Sequence, residues 1–113
     1  MSKRTGFACV AGGLMLISAT FANGRSAAQE AGNAEQGRRL AHADCAQCHG
    51  VDRNSFSTNL AAPTFDDIAN VPGMTNRALL AALRTSHRSM PNLIIEGRDS
   101  EDIIAYILSL KRN

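Results

Sequence analysis

The chain has 113 residues, 12 basic and 10 acidic, with aromatic residues at only 4% and no tryptophan. That length allows one small domain, and so few large side chains exclude a deep hydrophobic core without some additional staple. The formal charge of +2 is too small and too evenly spread to mark a nucleic-acid-binding surface.

The first residues read as an export signal. Lys3 and Arg4 make a positive start, and residues 7 to 21 are apolar or small, with Leu14, Met15, Leu16 and Ile17 at the centre. Ser26-Ala27-Ala28 follows with small residues where a signal peptidase reads them. Cleavage is expected after Ala28, with Ala22 as the second choice, which defines residues 1–28 as a secretory signal and 29–113 as the mature domain. The alternative is a retained anchor, but a stretch of 15 residues is short for crossing a bilayer. Cys9 lies at the front of this stretch and would leave with it. Loss of Lys3, Arg4 and Arg25 takes three of the 12 basic residues, leaving 9 against 10 acidic, a net charge of −1.

The mature chain opens with a predicted helix. Asn33 is placed to cap it, with Gln36 closing a capping box. Gly37, Leu40 and Ala41 share one face at helical spacing, and the helix delivers the chain into Cys45. Cys45-Ala46-Gln47-Cys48-His49 then forms a Cys-x-x-Cys-His box. Two thiols three positions apart on a tight turn can both add to the vinyl groups of one haem, and the adjacent imidazole then lies under the iron as its proximal ligand. The pentapeptide therefore reads as c-type haem attachment. A thioredoxin-like redox pair would require a βαβ pattern that this chain lacks, and a zinc site would require a second pair of ligands. With Cys45 and Cys48 both used by haem, no disulfide is expected even in an oxidising compartment.

Residues 50 to 63 have no sustained period and read as a loop around the haem edge. Pro72-Gly73 is a turn signal, after which Thr75 caps a second predicted helix. Met74 and Leu79 stand where a hydrophobic staple would put them, and Leu79, Leu80 and Leu83 form its buried stripe. A second loop, residues 91 to 97, leads to a third helix starting at Asp99 or Ser100. Glu101 and Asp102 suit the positive end of that helix, and Lys111 and Arg112 suit its negative end. Ile103, Ile104, Ile107 and Leu108 make its apolar face.

Taken together, the mature chain resembles the small bacterial class I cytochromes c, single-haem, all-helical electron carriers. The resemblance covers nearly all of residues 34 to 111 and rests on four features in order: Gly37 eight residues before the first Cys, the Cys45–His49 box, Pro63 in the following loop, and Met90-Pro91 before a last helix containing Ala105-Tyr106-Ile107. It implies an all-α fold of three main helices wrapped around one covalent haem c. Gly37 would let the first helix cross closely over the last, with Tyr106 nearby. Where the family commonly carries an aromatic residue four positions before the first Cys, this chain has Ala41, so that contact is expected to be thinner.

By the same resemblance Pro63 would present its carbonyl to the second ring nitrogen of His49, and Met90, 41 residues after His49, would be the sixth iron ligand. His87 is the rival for that position. Arg84, His87 and Arg88 would form a basic rim able to steer an acidic partner, or simply a solvated face. The function implied is periplasmic electron transfer between redox partner proteins, without nucleic acid, without a membrane span in the mature form and without catalysis. The alternatives are an electron-entry subunit of a dehydrogenase or oxidase, and an open-site haem peroxidase or gas sensor, against which Met90-Pro91 counts.

Overall fold

Four α-helices and one π-helical turn, joined by irregular loops, carry the chain around a small interior. The computed structural model describes residues 31–85, 89–95 and 97–113, and no strand occurs among them. The predicted export signal, with Cys9, and the residues His87 and Arg88 lie outside the described residues.

Helix α1 (Ala34–Leu40) starts where Asn33 accepts a hydrogen bond from the Gln36 N–H through its side chain at 3.0 Å. Only half of the predicted capping box forms. The Gln36 side chain turns to Arg39, and the Asn33 N–H donates instead to Asp102 Oδ1 at 2.6 Å, across 69 residues of sequence. A buried carboxylate at a helix N-terminus faces the positive end of the macrodipole as well as an orphan N–H. Helix α1 runs directly into a π-helical turn (Ala41–Cys45), closed by the Ala46 N–H donating to the Ala41 carbonyl at 3.0 Å. Gly37, Ala41 and Cys45 are all buried. Their spacing of four overshoots an α-turn of about 3.6 residues, and the wider i→i+5 turn takes up the excess and keeps all three on one face.

Helix α2 (Phe65–Ala69) was not among the predicted helices. Thr64 caps it, accepting from the Asp67 N–H at 3.0 Å, and it buries Phe65, Asp66 and Ala69. Helix α3 (Asn76–Arg84) begins as expected at Thr75, whose hydroxyl accepts from the Ala78 N–H at 3.2 Å. Leu79 is buried and Met74 packs against the same core, while Leu80 and Leu83 are only partly covered.

Helix α4 (Arg98–Ser109) begins one residue earlier than expected. Its N-cap is Gly97 at φ 59° and ψ −132°, a conformation open essentially to glycine alone, and Ser100 donates back to the Gly97 carbonyl at 2.8 Å. Its buried face is Ile103, Ile104, Tyr106, Ile107 and, past the helix end, Leu110; Leu108, half-buried, packs against the same core. Lys111 and Arg112 do not serve the helix end. Lys111 donates to the Met74 carbonyl at 2.6 Å and Arg112 to Asp66 at 3.0 Å.

The contact between α1 and α4 is the most extensive between any two elements. A Cβ at Gly37 would fall inside the Asp102 carbonyl, and one at Gly32 inside that of Glu101. The two segments therefore touch backbone to backbone, as the resemblance implied for Gly37; Gly32, just before the N-cap of α1, meets the adjacent peptide of α4. Substituting Gly37→Ala gains about 1 kcal/mol of helix propensity, but the methyl has no room and the displacement of α4 costs about 1–3 kcal/mol or more. Chemical denaturation of the Gly37→Ala protein is expected to show a net loss of stability, with a lower urea midpoint than the unsubstituted chain.

Candidate functional site

The π-turn ends at Cys45, and the backbone then folds tightly enough for the Cys45 carbonyl to accept from both the Cys48 and His49 N–H groups, at 3.1 and 2.9 Å. The loop that follows is fastened back onto this turn at several points. Thr58 donates to the Gln47 carbonyl at 2.5 Å, the Asn59 N–H to the Cys48 carbonyl at 3.2 Å, and the Gly50 N–H to the Ser57 hydroxyl at 2.9 Å. The Phe65 N–H closes the loop onto the Gly50 carbonyl at 2.8 Å. These bonds bring Pro63 over the imidazole of His49, whose Nδ1 lies 2.7 Å from the Pro63 carbonyl oxygen. A carbonyl only accepts, so Nδ1 carries the proton, and in the neutral ring the lone pair is on Nε2.

Cys45, Cys48, His49 and Pro63 border one cavity of about 400 Å³. The rest of its wall is mostly apolar: Phe65 and Ile68 from α2, Met74, Leu79 and Leu83 from around α3, Met90, Pro91 and Leu93 from the loop before α4, and Ile107. All five residues singled out from the sequence are therefore on this one cavity. Met74, which the sequence explained as a staple, borders it too. His42, in the π-helical turn, is exposed and pairs with Asp52. Arg84 is exposed and the rim it was expected to form with His87 and Arg88 lies mostly outside the described residues.

The thiol of Cys45 is buried. Burial first, and the nearby Asp44 carboxylate second, push it up to about 11, so at neutral pH it stays protonated. A thiol–disulfide oxidoreductase needs the opposite, a thiolate stabilised by its surroundings. Among the described residues no group of three or more His, Cys, Asp or Glu side chains is arranged to hold a metal ion, so no protein-only zinc site forms around the pair. An apolar cavity, two thiols on its wall and an imidazole with an unprotonated nitrogen instead suit a flat, largely apolar, iron-bearing macrocycle.

The family model of cytochrome c oxidase, cbb3-type, subunit III matches residues 32–107. The chain belongs to this family. It is a small class I cytochrome c domain, all-helical, carrying covalent haem c and transferring electrons through it. No curated protein and no solved structure matches the chain. Among the described residues no helix of this cytochrome c is long and apolar enough to cross a membrane.

Two features of the cytochrome c site were not read from the sequence. Phe65 packs on His49, ring centroids 5.6 Å apart at 53°, and on Tyr106, 6.4 Å apart at 55°. The Thr64-x-x-Asp67 spacing was the available signal for the helix that presents it. The second is a polar cluster at Asp52, three residues beyond His49. Arg38 donates to it from Nε and Nη2, both at 3.2 Å, His42 lies 3.1 Å away through Nε2, and the Tyr106 hydroxyl lies 3.2 Å from Oδ1 and 3.0 Å from the Val51 carbonyl. These partners sit on α1, the π-turn and α4, so the chain leaving His49 is tied to all three. Partial burial opposes ionisation of Asp52, but the hydrogen bonds from His42 and Arg38 outweigh it and hold the carboxyl below its ordinary value. A carboxylate lowered in the folded state contributes stability above its unfolded pKa and loses it as pH falls through the folded one. Asp52→Asn is therefore expected to lower the urea midpoint near neutral pH, with the difference from wild type shrinking toward about pH 3. A difference that is constant across that range would contradict the assignment.

Proposed function

We propose that this cytochrome c domain is an exported, periplasmic electron carrier whose iron is held between His49 and Met90. In this reading residues 1–28 are removed on export and 29–113 form the working domain. Cys45 and Cys48 form the two thioethers. Pro63 orients the imidazole through its carbonyl and makes Nε2 a stronger donor. The observation that carries the reading is the cavity itself, on which both thiols, the His49–Pro63 pair and Met90 converge.

A haem held there supplies a one-electron ferric–ferrous couple. With His49 and Met90 both engaged, no coordination position is left for oxygen, peroxide or another small ligand, so the protein makes and breaks no substrate bond and is not an enzyme. A thioether donor such as Met90 favours the ferrous state and raises the potential relative to a second imidazole. The apolar wall acts in the same direction, because a low dielectric disfavours the extra ferric charge. Electron donors and acceptors are then protein partners that approach the exposed edge near Gln47 and Cys48. A second reading, favoured by the family's description as an oxidase subunit, is a permanent electron-entry subunit of a larger complex. The site chemistry is the same, and co-migration of the native protein with a large complex would separate the two.

Intact mass of the exported protein is expected to equal residues 29–113 plus one haem, and acid–organic extraction should leave the haem on the polypeptide. Extractable haem would overturn attachment through Cys45 and Cys48, and a full-length membrane-bound product would mean that the apolar segment is an anchor.

The ferric protein is expected to show the weak near-infrared sulfur-to-iron charge-transfer band. Met90→Ala should abolish this band, lower the reduction potential and admit cyanide, whereas Met74→Ala and His87→Ala should keep it. Survival of the band without Met90, or its loss with either of the other two substitutions, would overturn the ligand assignment.

A further inference from the structure

We infer that Phe65 is a positioning residue for His49, setting the rotational orientation of the imidazole through its ring contact. The inference rests on the reading of His49 as an axial ligand. The hydrogen bond from Nδ1 to the Pro63 carbonyl holds one atom of the ring. A single hydrogen bond restrains, without fixing, the swivel of the ring about its Cβ–Cγ bond. The side chain of Phe65, only 4% exposed, lies against the imidazole at a centroid distance of 5.6 Å and a tilt of 53°, where it blocks the swivel.

Phe65 is itself held from two sides. Its N–H donates to the Gly50 carbonyl at 2.8 Å, one residue beyond His49, and its ring rests on that of Tyr106 at 6.4 Å. Tyr106 is in turn fixed by its hydroxyl, bonded to the Val51 carbonyl at 3.0 Å and to Asp52 at 3.2 Å. The stack His49–Phe65–Tyr106 thus joins the imidazole to α4, and the Tyr106 hydroxyl ties that end in turn to Val51 and Asp52, just after His49. Tilted aromatic contacts are geometrically selective, so the stack carries the placement of α4 to the plane of the ligand ring. In the ferric holoprotein that plane, together with the orientation of the proposed Met90 thioether, would set the spread of the four haem methyl shifts.

The test compares Phe65→Leu, which keeps an apolar side chain but removes the ring, with Ile104→Val. Ile104 is fully buried but outside the cavity wall. Both variants are expected to lower the urea midpoint. Phe65→Leu is also expected to change the order or spread of the haem methyl shifts, whereas Ile104→Val leaves the wild-type pattern. Phe65→Met serves the same purpose should the leucine variant not fold, with the same displaced pattern expected. A wild-type pattern in the folded Phe65 variant, or an equal change in Ile104→Val, would overturn the inference and leave Phe65 as ordinary packing. His49→Ala separates this from the underlying assignment. Loss of the low-spin spectrum in His49→Ala together with a silent Phe65 variant removes only the positioning role. A low-spin spectrum unchanged by His49→Ala removes both.

Discussion

Helix α1 lies on α4 with no side chain between the two backbones at Gly37 and Gly32, and the N-terminus of α1 is capped by a carboxylate that belongs to α4. The position of every other part of the site follows from this crossing. The π-turn that ends in Cys45 is the direct continuation of α1, and Tyr106 and Ile107 stand on the face of α4 that the crossing buries. Close approach requires glycine for steric reasons. The Asn33–Asp102 bond then fixes the crossing along the helix axis, because a carboxylate buried at 2% exposure is tolerated only where it meets a donor.

The loops between these helices are held by polar ties rather than by a large core. Among the described residues only Ile103 and Ile104 are both large and fully buried, while Phe56, Leu60 and Ile94 are exposed. Asp52 gathers Arg38, His42 and Tyr106. Asp66, buried in α2, accepts from Arg112 at 3.0 Å and from Asn70 at 3.2 Å, with Arg53 at 3.9 Å. Asn70 also accepts from the Arg112 N–H at 2.8 Å. Each carboxylate binds residues far away in sequence, so the pair acts as two clasps, one at each end of the loop that follows His49 and carries Pro63. A domain with so little apolar interior gains from an interior occupant, and covalent haem is suited to provide one.

How far the residues alone disclosed this arrangement depended on how local each signal was. The Cys45–His49 box, the Thr75 cap and the apolar face of α4 are encoded in adjacent or helically spaced residues, and the structure reproduces them. Pro63 was placed at His49 by resemblance, and the carbonyl lies within hydrogen-bonding distance of the ring. Helix α2 escaped because five residues are too few to display a period. Gln36 was paired with Asn33 by spacing, yet Asp102, unseeable at 69 residues' distance, took the bond. The same blindness hid the Asp52 cluster and the contact of Phe65 with His49, both of which join residues ten or more positions apart. Lys111 and Arg112 showed the converse: charges that suited a helix end by proximity were claimed by tertiary partners.

The crossing of α1 over α4 joins nearly the two ends of the domain, with the whole cavity wall strung between them. In folding terms the contact on which the structure most depends is among its least local, and such contacts must overcome the entropy of closing a long loop before they return any stability. Until that loop closes, Cys45 and Cys48 hang from an isolated turn at the end of α1, and α2, α3 and the Met90 loop have nothing to enclose. A group already fastened to that turn shortens the search, since the intervening chain then collapses around a fixed object instead of around empty space.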